Sequence, residues 1–351
     1  MKKKQHKPVE IRTSPHVRKA ISVDQIMRNV VYALLPVCAW SVWQFGISVL
    51  LLILVTLASC LLTESFFCWM SKRDNSVRDF SVVITGLLLA LTLPPGFPLW
   101  MAAVAGFIGI GLGKSLFGGL GFNVMNPALV GRAFVQAAFP VAITTWTPSF
   151  LPARFVEFIP STLALPFMSP AATTEWVAER AVDGFTGATP LALHKFEQVS
   201  TSTWDLLFGT VAGSAGETAA LLIFVCGLYL IVRRMMDWRI SAGVFAGVVV
   251  TSLPFWLLDP GHYPTPWFML FSGGVMLGAM FMATDMVASP VTPAGIWLYG
   301  AVIGFLTVII RLFGGLTEGV MYAILLANAL SPLIASVTQP RVYGVSRKEK
   351  G

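Results

Sequence analysis

Residues 181–193 read Ala-Val-Asp-Gly-Phe-Thr-Gly-Ala-Thr-Pro-Leu-Ala-Leu. Asp183 leads, and Thr186 and Thr189 bracket the pair Gly187-Ala188. A hydroxyl becomes a nucleophile when a base sits beside it and a third group orients that base. His194 is a lone base candidate here, with no His-Asp arrangement around either threonine, so self-catalysis is not expected. The plain alternative is a turn, because Asp-Gly is a common turn dipeptide and Pro190 ends the local backbone run.

Two other stretches could do chemistry. Residues 113–134, "GKSLFGGLGFNVMNPALVGRAF", place Asn123 and Asn126 three apart after a run of glycines. Asn126 before Pro127 suits a helix cap. Two amides at a bilayer helix end also suit hydrogen bonding to a planar polar ring, since each offers donor and acceptor. Residues 281–295, "FMATDMVASPVTPAG", set Asp285 between an apolar helix and a Ser/Pro/Thr-rich break. An acid at that depth is costly unless it is paired or functional. Glu64, Glu217 and Glu318 lie at other membrane borders. Glu217 opens a helix, where its charge favours the dipole. Lys114 and Arg132 are expected to snorkel or pair near the cytoplasmic face. Cys38, Cys60, Cys68 and Cys226 form no CxxC pair and read as small buried hydrophobes. No metal site is expected from this chain.

These residues must be positioned by membrane helices. Only 12% of the 351 residues are charged and 56% are hydrophobic. A soluble domain carries about 25% charge. The net charge of +7 follows the positive-inside bias rather than affinity for nucleic acid. A helix needs about 20 apolar residues to cross the hydrocarbon. Full-length candidates are 27–45, 46–68, 98–116, 127–147, 217–233, 240–258, 295–313 and 319–337, with shorter or irregular ones at 80–93 and 266–284. Residues 206–216 read as a re-entrant piece. Ten crossings put Lys72, Arg73, Arg78, Arg233, Arg234, Arg239, Arg341, Arg347, Lys348 and the basic N-terminus on one side, expected to be the cytoplasm. The acid-rich 148–205 loop then faces out. Arg311 is the exception, near the outer end of the ninth crossing.

The resulting organisation is a cytoplasmic arm 1–26, a five-helix unit 27–147, an outer loop 148–205, a second five-helix unit 206–338 and a tail 339–351. "LFGGL" at 116–120 recurs at 312–316, an offset of 196 at which Val124-Met125 also matches Val320-Met321 and Pro94 matches Pro290. Five crossings separate the copies, so the second is inverted, as in folds that place a site at the midplane. The fold class is therefore an all-α integral membrane protein of about ten helices in two inverted repeats.

Asp183, Thr186, Gly187, Ala188 and Thr189 together resemble the flavinylation motif Asp-x-x-(Ser/Thr)-Gly-Ala-Thr. With "SPH" at 14–16, "TGLLLALTLPP" at 85–95, "GGLGFNVMNPALVGRAF" at 118–134 and "MATDMVASPVTPAG" at 282–295, the chain resembles a membrane-subunit family. That family holds the D subunits of Rnf electron-transport complexes and the B subunits of sodium-translocating NADH:quinone reductases. The short N-terminal arm favours the Rnf side. The resemblance implies a urea-transporter-like fold in the bacterial inner membrane. It also implies FMN joined through a phosphoester to Thr189 by a flavin transferase, on a loop where Gly and Ala leave the hydroxyl open. A second, non-covalent riboflavin would be bordered by Asn123, Asn126 and Asp285. The implied partners are the flavin and iron–sulfur subunits of the complex, and the implied function is electron relay coupled to Na⁺ or H⁺ movement. The residues alone leave a second reading, a passive channel for a small polar solute on the same inverted repeat.

Overall fold

The structure, a computed structural model, describes residues 22–72, 79–166, 168, 176 and 188–340. Most of the basic arm and the tail lie outside the described residues, as do Arg73, Arg78, Asp183, Thr186 and Gly187. All the regular structure that is described is helical. Helix α1 (Val23–Phe45) starts at Ser22, whose hydroxyl accepts from the Gln25 amide, and carries Asp24 in its first turn. Gly46, at φ +80°, is the single residue between α1 and α2 (Ile47–Met70). A side chain there would run into the Arg154 backbone. Helices α3 (Ser81–Thr92), α4 (Leu99–Ile110, continued by a π-turn Gly111–Ser115), α5 (Pro127–Ala138) and α6 (Pro140–Thr144) follow. Then come α7 (Pro190–Ala192, with a π-turn Leu193–Glu197), α8 (Thr203–Phe208), α9 (Ala220–Val232) and α10 (Trp238–Leu258). The described helices end with α11 (Pro266–Phe271), α12 (Val275–Leu277, with a π-turn Gly278–Met282), α13 (Pro293–Phe313) and α14 (Val320–Val337).

Five of these, α1, α2, α10, α13 and α14, are long and apolar enough to cross a membrane, and α3, α4 with its π-turn and α9 are shorter apolar helices. The chain is a multi-pass membrane protein. The 127–147 candidate breaks at Phe139, because Pro140 withholds the amide that would continue α5. At 12 residues, α5 is about 18 Å long, short of the roughly 30 Å hydrocarbon. Candidate 217–233 forms a helix only from Ala220. Candidate 266–284 is interrupted between Phe271 and Val275, where Gly273 has φ +59°.

Broken helices expose backbone groups that lipid cannot satisfy, so protein must do so. The stretch read as re-entrant does this for α3. After α8 the chain turns at Gly209 (φ +81°), and the Ala215 and Gly216 amides donate to the Leu93 and Leu91 carbonyls at 3.0 and 2.7 Å. The buried Gln44 ties the same stretch to α1, donating to the Gly209 carbonyl at 2.6 Å and accepting from the Thr218 hydroxyl at 2.6 Å.

Packing relies on small residues. Helix α10 lies against α13 through Gly243 and Gly247, which face Gly300 and Gly304 across the seam. Each pair is spaced four apart, which lets two backbones approach closely. Gly109 of α4 and Gly131 of α5 make the corresponding close approach in the first half. The 148–205 loop, expected simply to face out, is pinned by its first part to helix ends. The Arg154 carbonyl accepts from the Ile47 amide at 2.9 Å, the Ile159 amide donates to the Ser48 hydroxyl at 3.0 Å, and Ser161 donates to the Gly96 carbonyl at 2.7 Å. One large apolar cluster, drawn from residues of both halves, forms the core.

Candidate functional site

Two sites emerge at different places in the fold. The first collects Asn123, Asn126 and Asp285. Asn126 is the cap of α5: its amide oxygen accepts from the Ala128 and Leu129 amides at 3.0 and 3.5 Å. Its amide nitrogen donates to the Met282 carbonyl at 3.2 Å, so one side chain joins α5 to the end of the second-half π-turn. The Asn123 amide nitrogen donates to Asp285 at 3.2 Å and to the Met125 carbonyl at 3.3 Å. The other oxygen of Asp285 accepts from the Val287 amide at 3.1 Å. Residues 162 apart in sequence thus meet across the two halves.

All three line a pocket of about 790 Å³ of empty space, its open mouth included. Ile84, Leu88, Met280 and Phe281 give it apolar walls, and Thr85, Ser81 and Lys114 add polar groups. Lys114 is buried, not snorkelling: its ammonium donates to Glu64 at 2.7 Å and to the Ser81 hydroxyl at 2.8 Å. A large, mostly apolar pocket with a few fixed polar groups is the usual form of a site for a planar organic ligand. The residues fit an isoalloxazine ring on that ground. Asn126 has committed both ends of its amide to protein, whereas the Asn123 amide oxygen accepts from no other described residue.

The second site surrounds Thr189. Thr189 caps α7, and its hydroxyl accepts from the Ala192 amide at 3.3 Å. It is 4% exposed, so the hydroxyl expected to be open is covered in this arrangement. It lines a pocket of about 320 Å³ of empty space with Leu191, Leu206, Glu217, Thr218, Gly273 and Glu318. A secondary alcohol with one long hydrogen bond is chemically suited to a phosphoester, and a group the size of FMN would fit there only with the Ala188–Gln198 segment placed differently. Ala188 is described and half-buried; the rest of the motif lies outside the described residues.

Of the two expectations for Arg132, snorkelling or pairing, the structure shows pairing. The side chain is buried in α5 and paired with Glu318 and, at 3.6 Å, with Glu217. Ser214 also donates to Glu217. The acids lie just before α9 and α14, so two distant segments converge on the guanidinium of a third. The pairing wins over snorkelling because a buried carboxylate pair needs a cation between its members. Arg311, the exception to the charge pattern, donates to the Met269 and Ser272 carbonyls at 2.6 and 2.8 Å. It supplies the donors that the break after α11 leaves missing. Sequence reasoning also missed Lys195, whose ammonium donates to the carbonyls of Arg311, Gly314 and Leu316 at 3.0, 2.5 and 3.2 Å. Burial lowers the pKa of Lys195, and burial followed by the nearby His262 lowers that of His194. The signal available for Lys195 was a basic residue six places after the motif threonine, in a loop where acids outnumber bases. No group of three or more His, Cys, Asp or Glu that could hold a metal occurs among the described residues.

A model of the NQR2, RnfD, RnfE family matches residues 10–344. The chain is 36% identical to the D subunit of an ion-translocating oxidoreductase complex from Alcanivorax borkumensis, over 97% of this chain and 98% of that one. It is 38% identical to the D subunit of a Na⁺-translocating ferredoxin:NAD⁺ oxidoreductase complex from Acetobacterium woodii, over 97% and 96%. It is 36% identical to the D subunit of a proton-translocating ferredoxin:NAD⁺ oxidoreductase complex from Clostridium ljungdahlii, over 96% of each.

Proposed function

The chain belongs to the NQR2, RnfD, RnfE family, and from that premise we propose that it is the D-type membrane subunit of an ion-translocating ferredoxin:NAD⁺ oxidoreductase complex. FMN is attached through a phosphoester to Thr189 and relays electrons between flavin and iron–sulfur partner subunits, with the transfer coupled to Na⁺ or H⁺ movement. The observation that carries the reading is the full match of Asp183, Thr186, Gly187, Ala188 and Thr189 to the flavin motif, inside a chain similar over nearly its whole length to subunits bearing that activity in their names. Bound flavin supplies one- and two-electron chemistry; the protein supplies attachment, orientation and exclusion of water. Thr189 provides the tether. The pocket of Asn123, Asn126 and Asp285 provides apolar walls and a free amide acceptor for a second, non-covalent flavin.

We further propose two inverted five-helix units. Supporting this, a shift of 196 residues lays α4 on α13 and α5 on α14, and the first half of α3 on the π-turn Gly278–Met282. The basic residues then place both termini in the cytoplasm and Thr189 outside the bacterial inner membrane. The deciding experiment is a denaturing gel of the chain made in cells that possess the flavin transferase. A fluorescent band is expected for the native chain and none for Thr189→Ala. The assembled complex with Thr189→Ala should lose electron transfer between ferredoxin and NAD⁺. A dark band from the native chain would overturn the covalent flavin and favour the channel alternative, whereas full activity in the variant would overturn the relay through Thr189 and leave the chain a structural anchor.

A further inference from the structure

The segment that carries Thr189 is fastened by one charged side chain. Lys195 lies six residues on, in the π-turn Leu193–Glu197. Its ammonium meets three carbonyl oxygens where α13 ends: Arg311 in the last turn, Gly314 at the cap and Leu316 just beyond. The last carbonyls of a helix have no donor within it and carry the negative end of its dipole. An ammonium offers three donors and no acceptor, which matches that cradle. The remaining grip is slight. Leu191 packs with Leu206 and Phe268 in a small apolar cluster apart from the main core, and the His194 ring tilts against Phe268 at 5.4 Å. Phe196 is exposed. Beneath the segment the Thr189 hydroxyl is covered, above the pocket it shares with Glu217 and Glu318.

We propose that Ala188–Gln198 is a latch and that Lys195 is its positioning residue. With the ammonium seated in the α13 cradle, the latch presses Thr189 onto the Glu217–Glu318 pocket. It must release for any modifying enzyme to reach the hydroxyl. The mechanical claim stands on the geometry; its purpose, keeping the hydroxyl covered until the flavin transferase attaches FMN, rests on the function proposed above.

The test uses the full chain in native membranes, with Thr189→Cys as reporter and a small maleimide as probe. The native chain, whose Cys38, Cys60 and Cys226 are buried and whose Cys68 is half-buried, serves as the blank whose labelling is subtracted. Adding Lys195→Met should raise the labelling rate by about tenfold or more, equivalent to about 1.4 kcal/mol in closure. Lys195→Arg, which still donates to carbonyls, should stay within about threefold of the parent. Equal rates for Lys and Met, or an Arg variant as fast as Met, would overturn the latch. Hydrogen exchange on chains with native Thr189 gives a second measure. The Leu193 and Gln198 amides should open faster in Lys195→Met while α10 and α13 remain protected; loss of protection everywhere would mean unfolding and would count against a local latch. In cells with the transferase, Lys195→Met should take up flavin faster during brief expression. If the native chain takes up none, the flavin reading fails, while the labelling comparison still decides the latch.

Discussion

At the scale of single residues, the chemistry of this protein depends on polar side chains that have more than one obligation. Asn126 caps α5 and also reaches the second half through Met282. Arg132 answers to two carboxylates at once. Replacing Arg132 with Met would remove the cation paired with Glu217 and Glu318 and leave only the neighbouring Arg311, already bonded to two carbonyls, to face both acids. Removing one partner of a buried ionic group costs about 3–5 kcal/mol, so the variant should lose most of its folded yield in mild detergent. Adding Glu318→Gln removes one of the two acids and should restore part of that loss, a coupling readable by a double-mutant cycle of thermal stability. If Arg132→Met melts like the native protein, the guanidinium is not the bridge described.

At the scale of elements, glycine spacing decides which helices can touch. The seam between α10 and α13 brings Gly247 close to Ala301 and Gly304. A leucine at 247 would force the backbones apart and should cost about 1–3 kcal/mol or more. Gly315 faces open space, so Gly315→Ala should leave thermal stability unchanged. Comparing the two variants by thermal unfolding in detergent separates the seam from a general effect of losing a glycine. Broken elements follow a related rule. Where α11 stops and where α3 meets Pro94, the orphaned carbonyls are taken by Arg311 and by the Ala215 and Gly216 amides. An unbroken run of apolar residues in the sequence hides such breaks, because a proline or glycine pair marks where a helix can stop but not what will satisfy its end.

At the scale of the whole molecule, the two halves meet in one core and at polar junctions that include Asn123–Asp285, Gln44–Thr218, Asn29–Tyr229 and Arg132–Glu217–Glu318. The orientation proposed above makes a direct prediction. A thiol placed at the exposed Phe196 should react with a membrane-impermeant maleimide in intact cells. One placed at the exposed Arg234, in the turn between α9 and α10, should react only after the cytoplasmic membrane is permeabilised. The reverse pattern would invert the topology and remove Thr189 from the outer side.

Much of this was legible from the order of residues alone. Long apolar runs require membrane helices because nothing else satisfies a backbone in lipid, and α1, α2, α10 and α13 fall within a few residues of the runs at 27–45, 46–68, 240–258 and 295–313. The flavin motif is a local string, and a local string can be read without knowing the fold. The tertiary structure alone decided three other matters: that the partners of Arg132 are Glu217 and Glu318, that Thr189 lies covered, and that Lys195 closes the end of α13. Each joins residues more than 80 positions apart or depends on neighbours from several segments. Charge, hydropathy and spacing report what a residue needs, whereas the partner that meets the need is chosen only when distant segments are packed together.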